Sequence, residues 1–474
     1  MSGGTAGLRA RLGVLTAVFT PELVDEVIAK HGRVERRLRL LPSRLVVYFV
    51  LALCLFARES YEEVIRLLTS GLPGSRVLVQ INRSSLSRAR ARLGDQVLET
   101  LFRQVAGPLA TPGTPGAWWR GLRLLALDGT QFDVPDSVEN GQTFDGPSTG
   151  GTPFGFPQIR SVVLSEIGTH GVLDAAVGGY RDGERGLALG LTGATSPGDL
   201  VIADRGFWSA EVVAAFTATG ADLLFRLQSN HRGTVVSELA DGSCLSSSKP
   251  SKQLLRRARA AGRVLPERIT FRVISFATSG SVVHLGTTLT DPDRFPADEL
   301  IALYRQRWEI ELTFDELKNH LGAAGPLRSR TPQGVRQEIW AYLAVHHAVR
   351  QLAHDAAATA GPQVDSDRIS YLKCVRIIRT SVMSQAAATP TKLARALAQA
   401  VREARHRLLA PRADRRCPRA IKKPSRWPVL HTRAGRDQVS PGRHANRPSA
   451  KIKPDRRAGK PLIPGISPTR PPPR

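Results

Sequence analysis

Tyr304, Arg307, Glu311 and Lys318 stand at offsets of 0, 3, 7 and 14 in the segment Tyr304-Arg-Gln-Arg307-Trp-Glu-Ile-Glu311-Leu-Thr-Phe-Asp-Glu-Leu-Lys318. At about 100° per residue, that spacing brings all four within roughly 60° of one another on a helix. Leu303, Ile310, Phe314 and Leu317 form an apolar stripe beside them, so one face packs while its neighbour presents chemistry. A carboxylate flanked by two cations and a phenol suits a site that holds a metal ion and phosphate oxygens together. The same spacing also suits an ordinary salt-bridged helix face.

Two further acids follow short apolar runs. Leu122-Arg-Leu-Leu-Ala-Leu127 leads into Asp128-Gly129-Thr130, and Asp199-Leu-Val-Ile-Ala leads into Asp204-Arg-Gly-Phe207. Each reads as a buried strand closed by an acid and a turn. The pattern Tyr-x2-Arg-x3-Glu-x6-Lys, with Leu-Asp-Gly-Thr and Ala-Asp-Arg-Gly-Phe upstream and Arg328-Ser-Arg-Thr-Pro332 and Val335-Arg-Gln-Glu338 downstream, resembles the signature of the IS4 family of DDE transposases. The resemblance runs from about residue 11 to about residue 430. It implies an α/β fold with an RNase H-like catalytic core in which Asp128, Asp204 and Glu311 are the catalytic, metal-binding carboxylates. It further implies that Tyr304, Arg307 and Lys318 grip DNA phosphates beside the scissile bond. Glu309, Asp315 and Glu316 are the competing acids. Asp315 shares roughly the face of Glu311, and the family pattern, not the spacing, selects Glu311.

Phosphodiester hydrolysis needs an acidified water and a neutralised leaving oxygen, which two divalent ions about 3.5–4 Å apart supply together. An all-oxygen ligand set suits Mg²⁺ better than zinc, and Mn²⁺ is expected to substitute. The implied activity is that of an insertion-sequence transposase, which cuts at terminal inverted repeats and joins the freed 3′ end to target DNA by a cut-and-paste route. The expected partner is double-stranded DNA, held by a homo-oligomer that pairs both element ends. An RNase H-like nuclease that cuts without joining, and a domesticated DNA-binding regulator without catalysis, remain as alternatives.

The elements that must position these residues read as follows. Residues 11–108 form a helical N-terminal unit, with helices expected over 21–32, 45–57 and 60–68. A basic helix at Ser84-Ser-Leu-Ser-Arg88-Ala-Arg90-Ala-Arg92-Leu93-Gly94 resembles a recognition helix for DNA. Arg88 and Arg92 share a face and are the expected DNA contacts; Arg90 points away. The catalytic unit is expected over 118–405. It has a hairpin at 159–177 turning at Gly168-Thr169-His170, a glycine-rich loop over 141–156 and a long helix starting at Thr331-Pro332. A β-rich insertion over about 228–290 resembles that of the family. Relatives that cut through a DNA hairpin place a tryptophan there, whereas this insertion has none; Phe271 and Phe276 read as core, with stacking in place of that tryptophan as the alternative. His346 and His347 are adjacent and point about 100° apart, which suits a structural role better than shared metal ligation.

The 474-residue chain carries a net charge of +26 and a pI near 11.0, which favours a polyanionic partner. Most of that excess lies in 401–474, where 21 lysines and arginines face 4 acids. Residues 406–474, rich in Pro and Arg, are expected to be a disordered basic tail. Four scattered cysteines supply neither a disulfide framework nor a Cys-x2-Cys zinc pattern. The longest apolar run, 45–57, falls short of the roughly 20 residues needed to span a bilayer and reads as a core helix. The N-terminus lacks a signal-peptide layout, so a bacterial cytoplasmic location with the DNA, away from any membrane, is expected.

Overall fold

The computed structural model describes residues 11–37, 39–70, 72, 80–149, 152–278, 281–384 and 389–411. The expected basic tail lies almost wholly outside the described residues. The apolar runs read as strands pair into a mixed sheet of ten strands among the described residues. Strand β1 (Trp118–Trp119) leads into β2 (Leu122–Asp133), which pairs antiparallel with β5 (Gln158–Glu166) and parallel with β7 (Asp199–Ala203). Strand β6 (Val172–Gly179) closes one edge beside β5, and β8 (Asp222–Arg226) lies parallel to β7 on the other side. Both faces of β7 are buried from Asp199 to Ala203, as a central parallel strand requires.

The sheet then continues without a break into the insertion. Strand β12 (Ser281–Thr287) pairs antiparallel with β8, followed outward by β11 (Ile269–Thr278), β10 (Cys244–Ser248) and β9 (Thr234–Glu238). Within the insertion, Phe271 is fully buried and meets the Trp208 ring edge-on at 4.6 Å, while Phe276 is partly buried against the core. The glycine-rich stretch is only partly loop. Ser137 caps a helix over Val138–Phe144, and two short strands, β3 (Ser148–Thr149) and β4 (Thr152–Pro153), follow it.

The described elements between residues 13 and 105 are all helical. They include α1 (Pro21–Lys30), α2 (Ser43–Leu55), α3 (Tyr61–Thr69), α4 (Arg83–Leu93) and α5 (Gln96–Val105). Helix α2 is buried all round from Leu45 to Leu55. The capping residue of α4 is Asn82, whose side chain accepts from the Ser85 amide, two residues before the serine run at 84. These helices and the sheet share one partner, the 29-residue helix Pro332–Ala360, capped by Thr331. On it, Trp340 stacks on Phe102 of α5 and so faces the N-terminal helices. No helix among the described residues is long and apolar enough to cross a membrane.

Candidate active site

The register of the two parallel strands decides where the first two acids go. Leu127 pairs with Ala203 as the last parallel pair of β2 and β7, so the next residues, Asp128 and Asp204, emerge side by side. Adjacent strands run roughly 4.8 Å apart, which puts these two carboxylates next to each other at the C-terminal end of β7, in the middle of the sheet. Asp204 follows β7 as expected. Asp128 does not close its strand: β2 runs on to Asp133 because β5 keeps pairing with it, Asp128 opposite Val163.

Each aspartate is steadied by a local amide. The Gly129 N–H donates to Asp128 Oδ1 at 2.8 Å, and the Gly206 N–H donates to Asp204 Oδ1 at 2.6 Å. Burial pushes the Asp128 carboxyl up to about 6; the Gly129 amide and Arg307 oppose this, while the Asp204 and Glu184 carboxylates add to it.

The segment carrying the four-residue signature is not one continuous α-helix. It runs as an α-helix to Arg305, a 3₁₀ turn over Gln306–Trp308, an α-helix over Glu309–Asp315 and a π-helical turn over Glu316–His320. The Leu321 amide donates to the Glu316 carbonyl at 2.9 Å, the i→i+5 bond of a π turn. The apolar stripe of Leu303, Ile310, Phe314 and Leu317 is buried as expected.

Arg307 ties the acids together. Its Nη1 donates to Asp128 Oδ2 at 3.2 Å, and its Nη2 lies 3.5 Å from Glu311 Oε1. Burial alone would lower the arginine's pKa, but Tyr304, Asp128, Glu311 and Asp204 together raise it. Tyr304 is itself pushed up by burial and lies near Arg307, Asp204 and Arg226. The fold therefore gathers Asp128, Asp204, Glu311, Arg307 and Tyr304. Lys318 stands farther along β2, its ammonium 5.2 Å from the centre of the Phe132 ring. Asp315 lies on the outer side, accepting from Asn319 Nδ2 at 2.6 Å.

Sequence reasoning missed two nearby groups. The Glu184 carboxylate rests against Gly129, where an added Cβ would come within 2.7 Å of its Oε1. Its neighbour Arg185 donates to the Gly206 carbonyl at 2.6 Å, so the first turn of the short helix Glu184–Ala188 braces both aspartate turns. Nothing in the local sequence of Glu184 and Arg185 marks them; only the tertiary path does.

Arg88 and Arg92 lie on α4. Arg88 bonds the hydroxyls of Ser84 and Ser85, both at 3.1 Å, and Arg92 lies near Arg39 and Arg88. Arg90 turns inward, 4% exposed, as its spacing requires.

A second group of possible ligands sits apart, where His170, Glu309 and Asp367 offer atoms within 4.8 Å of one another. Arg350 already contacts both His170 and Asp367 there, supplying the positive charge that a cation would bring.

Residues 9–103 match the family described as "Insertion element 4 transposase N-terminal", and residues 119–346 match "Transposase DDE domain". The transposase InsG of insertion sequence element IS4 from Escherichia coli K12 is 30% identical over 427 residues, covering 89% of this chain and 95% of that protein. This chain belongs to the IS4 family of DDE transposases. It is an insertion-sequence transposase and a DDE polynucleotidyl transferase, a class that generally uses divalent metal and acts on DNA. A putative transposase, InsZ, from the same organism is 28% identical over 196 residues, covering 41% of this chain and 63% of that protein. Among solved structures, a piggyBac transposase synaptic complex with hairpin DNA aligns over 82% of this chain and 84% of its own, at 12% identity and a TM-score of 0.40.

Proposed function

We propose that Asp128, Asp204 and Glu311 are the metal-binding carboxylates of this transposase and that Tyr304, Arg307 and Lys318 hold the DNA strand at them. The observation that carries this reading is the register of β2 and β7, which sets Asp128 beside Asp204, with Arg307 spanning from Asp128 to Glu311. Strand order β6-β5-β2-β7-β8, antiparallel and then parallel, supports an RNase H-like core.

The donor set fits hard divalent ions. All its donor atoms are carboxylate oxygens, burial and the neighbouring Asp204 and Glu184 carboxylates disfavour the charge on Asp128, and the Arg307 guanidinium bridges two of the three acids. Bound there, Mg²⁺ or Mn²⁺ supplies an acidified water and charge neutralisation at the leaving oxygen. The chain's own groups do the rest. Arg307, once its fork is released from Asp128 and Glu311, presents two parallel N–H donors to a phosphate. Tyr304 offers a phenol that burial keeps protonated and therefore able to donate. Lys318 adds a point charge farther along β2.

The helices before residue 106, with Arg88 and Arg92 outward on α4, serve to bind the terminal inverted repeats. The assembly that pairs two ends is a homo-oligomer, and strand transfer follows cleavage at the same carboxylates.

The test is an assay of purified protein with Mg²⁺ and a labelled DNA carrying the repeat that flanks its gene, run beside Glu311→Gln and Asp315→Asn. Cleavage at the repeat boundary should vanish in Glu311→Gln and persist in Asp315→Asn. The reverse pattern would move the third ligand to Asp315. Cutting without joined products would reduce the activity to that of a nuclease.

A further inference from the structure

Glu311 sits on a two-turn helix with a 3₁₀ turn before it and a π turn after it, so backbone hydrogen bonding alone defines its rotation poorly. Side chains fasten that helix on both sides. Two residues before Glu311, the Glu309 carboxylate meets His170 Nε2 at 3.0 Å. Five residues after it, Glu316 is 5% exposed and takes a two-pronged grip from Arg350, with Nε to Oε2 at 2.8 Å and Nη2 to Oε1. His346 Nε2 adds a third contact to Glu316 at 2.9 Å.

The two fastenings are one network. Arg350 also contacts His170 Nδ1 and lies 3.6 Å from Asp367, which in turn is 3.6 Å from His170 Nε2. His170 belongs to the β5–β6 turn, while His346 and Arg350 belong to the helix Pro332–Ala360, so the anchors are parts of the rigid frame.

Taking this many charges out of water is costly, and a well-packed apolar cluster of the same volume is often as stable or more so. What an apolar cluster lacks is direction. A forked arginine–carboxylate pair fixes both distance and plane, and an error of 1 Å in the placement of a reacting group costs about 10²-fold in rate.

We propose that Glu316, Arg350, His346, His170, Glu309 and Asp367 form a positioning network that sets the rotation and register of the Glu311 helix against Asp128 and Asp204. The inference rests on the assignment of Glu311 as the third carboxylate. The residues act through Glu311 and touch neither DNA nor the reacting atoms.

The experiment compares the full-length protein with Glu316→Gln, Arg350→Met, the double apolar variant Glu316→Met/Arg350→Met, Arg350→Lys and Glu311→Gln. Four quantities are read: cleavage rate on the labelled repeat DNA in Mg²⁺, affinity for that DNA, thermal midpoint, and Mn²⁺ affinity from the electron paramagnetic resonance of the free ion. Glu316→Gln and Arg350→Met should lose at least tenfold in cleavage and severalfold in Mn²⁺ affinity while DNA affinity stays within twofold. The double apolar variant should regain the thermal midpoint yet remain slow and weak in Mn²⁺.

Recovery of cleavage and Mn²⁺ affinity to within twofold in the double variant would reduce the network to packing and overturn the proposal. Should the single variants not fold, Arg350→Lys keeps the charge and loses the fork. Full rate and full Mn²⁺ affinity there would overturn the proposal equally. Glu311→Gln separates the two levels. If it leaves cleavage and Mn²⁺ affinity intact, the assignment of Glu311 has failed; if it abolishes them while Glu316→Gln and Arg350→Met change nothing, only the positioning role has.

Discussion

Replacing Arg90 by Met should damage the fold, while the same change at Arg88, two residues away on α4, should not. Arg90 Nε donates to Gln337 Oε1 at 3.1 Å, Nη2 donates to the Gly334 carbonyl at 3.0 Å and lies 3.4 Å from Glu338, and Nη1 reaches the Tyr61 hydroxyl. Glu338 is 1% exposed and would lose its buried cation. It keeps donors in the Arg328 amide and the Ser329 hydroxyl, so its charge is not wholly orphaned. Breaking a buried pair costs about 3–5 kcal/mol, and the remaining donors place this case near the lower end, about 3 kcal/mol. With an m-value of about 3 kcal/mol per molar urea, the midpoint should fall by about 1 M. Arg88 is exposed and bonds the hydroxyls of Ser84 and Ser85 on its own helix, and its loss should change stability by no more than about 0.5 kcal/mol. Tryptophan fluorescence during urea unfolding reads both variants, since Trp340 is buried beside this cluster. A midpoint for Arg90→Met within about 0.2 M of the unmodified protein would refute the reasoning, because three buried partners and a half-buried carbonyl cannot lose a donor at so small a cost.

His347, pushed down to about 4 chiefly by burial and then by His346, stays neutral in the fold at a pH where the unfolded chain binds a proton. Stability should therefore fall as pH drops from about 6.5 to 4, by up to about 3 kcal/mol, and His347→Gln should flatten that part of a plot of urea midpoint against pH. At Gly168 an added Cβ would lie 2.6 Å from the Ala117 nitrogen and 2.8 Å from the Pro115 carbonyl oxygen, backbone atoms with no room to yield. Gly168→Ala should cost about 2 kcal/mol or more in the same assay, whereas Gly183→Ala, which meets nothing within 4 Å, should be close to neutral.

The chemistry-bearing residues were legible because they sit in short local patterns. Apolar runs end next to Asp128 and Asp204, and the Tyr304–Lys318 spacing keeps its apolar stripe buried. The misreadings arise where a distant partner overrides the local pattern. Strand β2 continues past Asp128 because residues 158–163 pair with it, which no feature of 122–133 announces. The helix over 304–318 contains neither Gly nor Pro, yet it changes winding twice, with Glu316 drawn into a buried grip by a residue 34 positions away. His170 reads as a turn residue, and its turn is real, with φ at +58°, but its three acidic neighbours come from two other parts of the chain.

The helix Pro332–Ala360 serves two masters, and that limits how this protein can be recombined. Gln337 donates to the carbonyls of Arg90 and Gly94, Trp340 stacks on Phe102, and a few turns later His346 and Arg350 grip the segment that carries Glu311. A chimera that takes its first hundred residues from a relative would meet a helix surface cut for different side chains. Such grafts should work only when the first three turns of this helix, through Trp340, travel with the donor's N-terminal portion, so the natural seam for exchange runs through the middle of a helix and not through a linker.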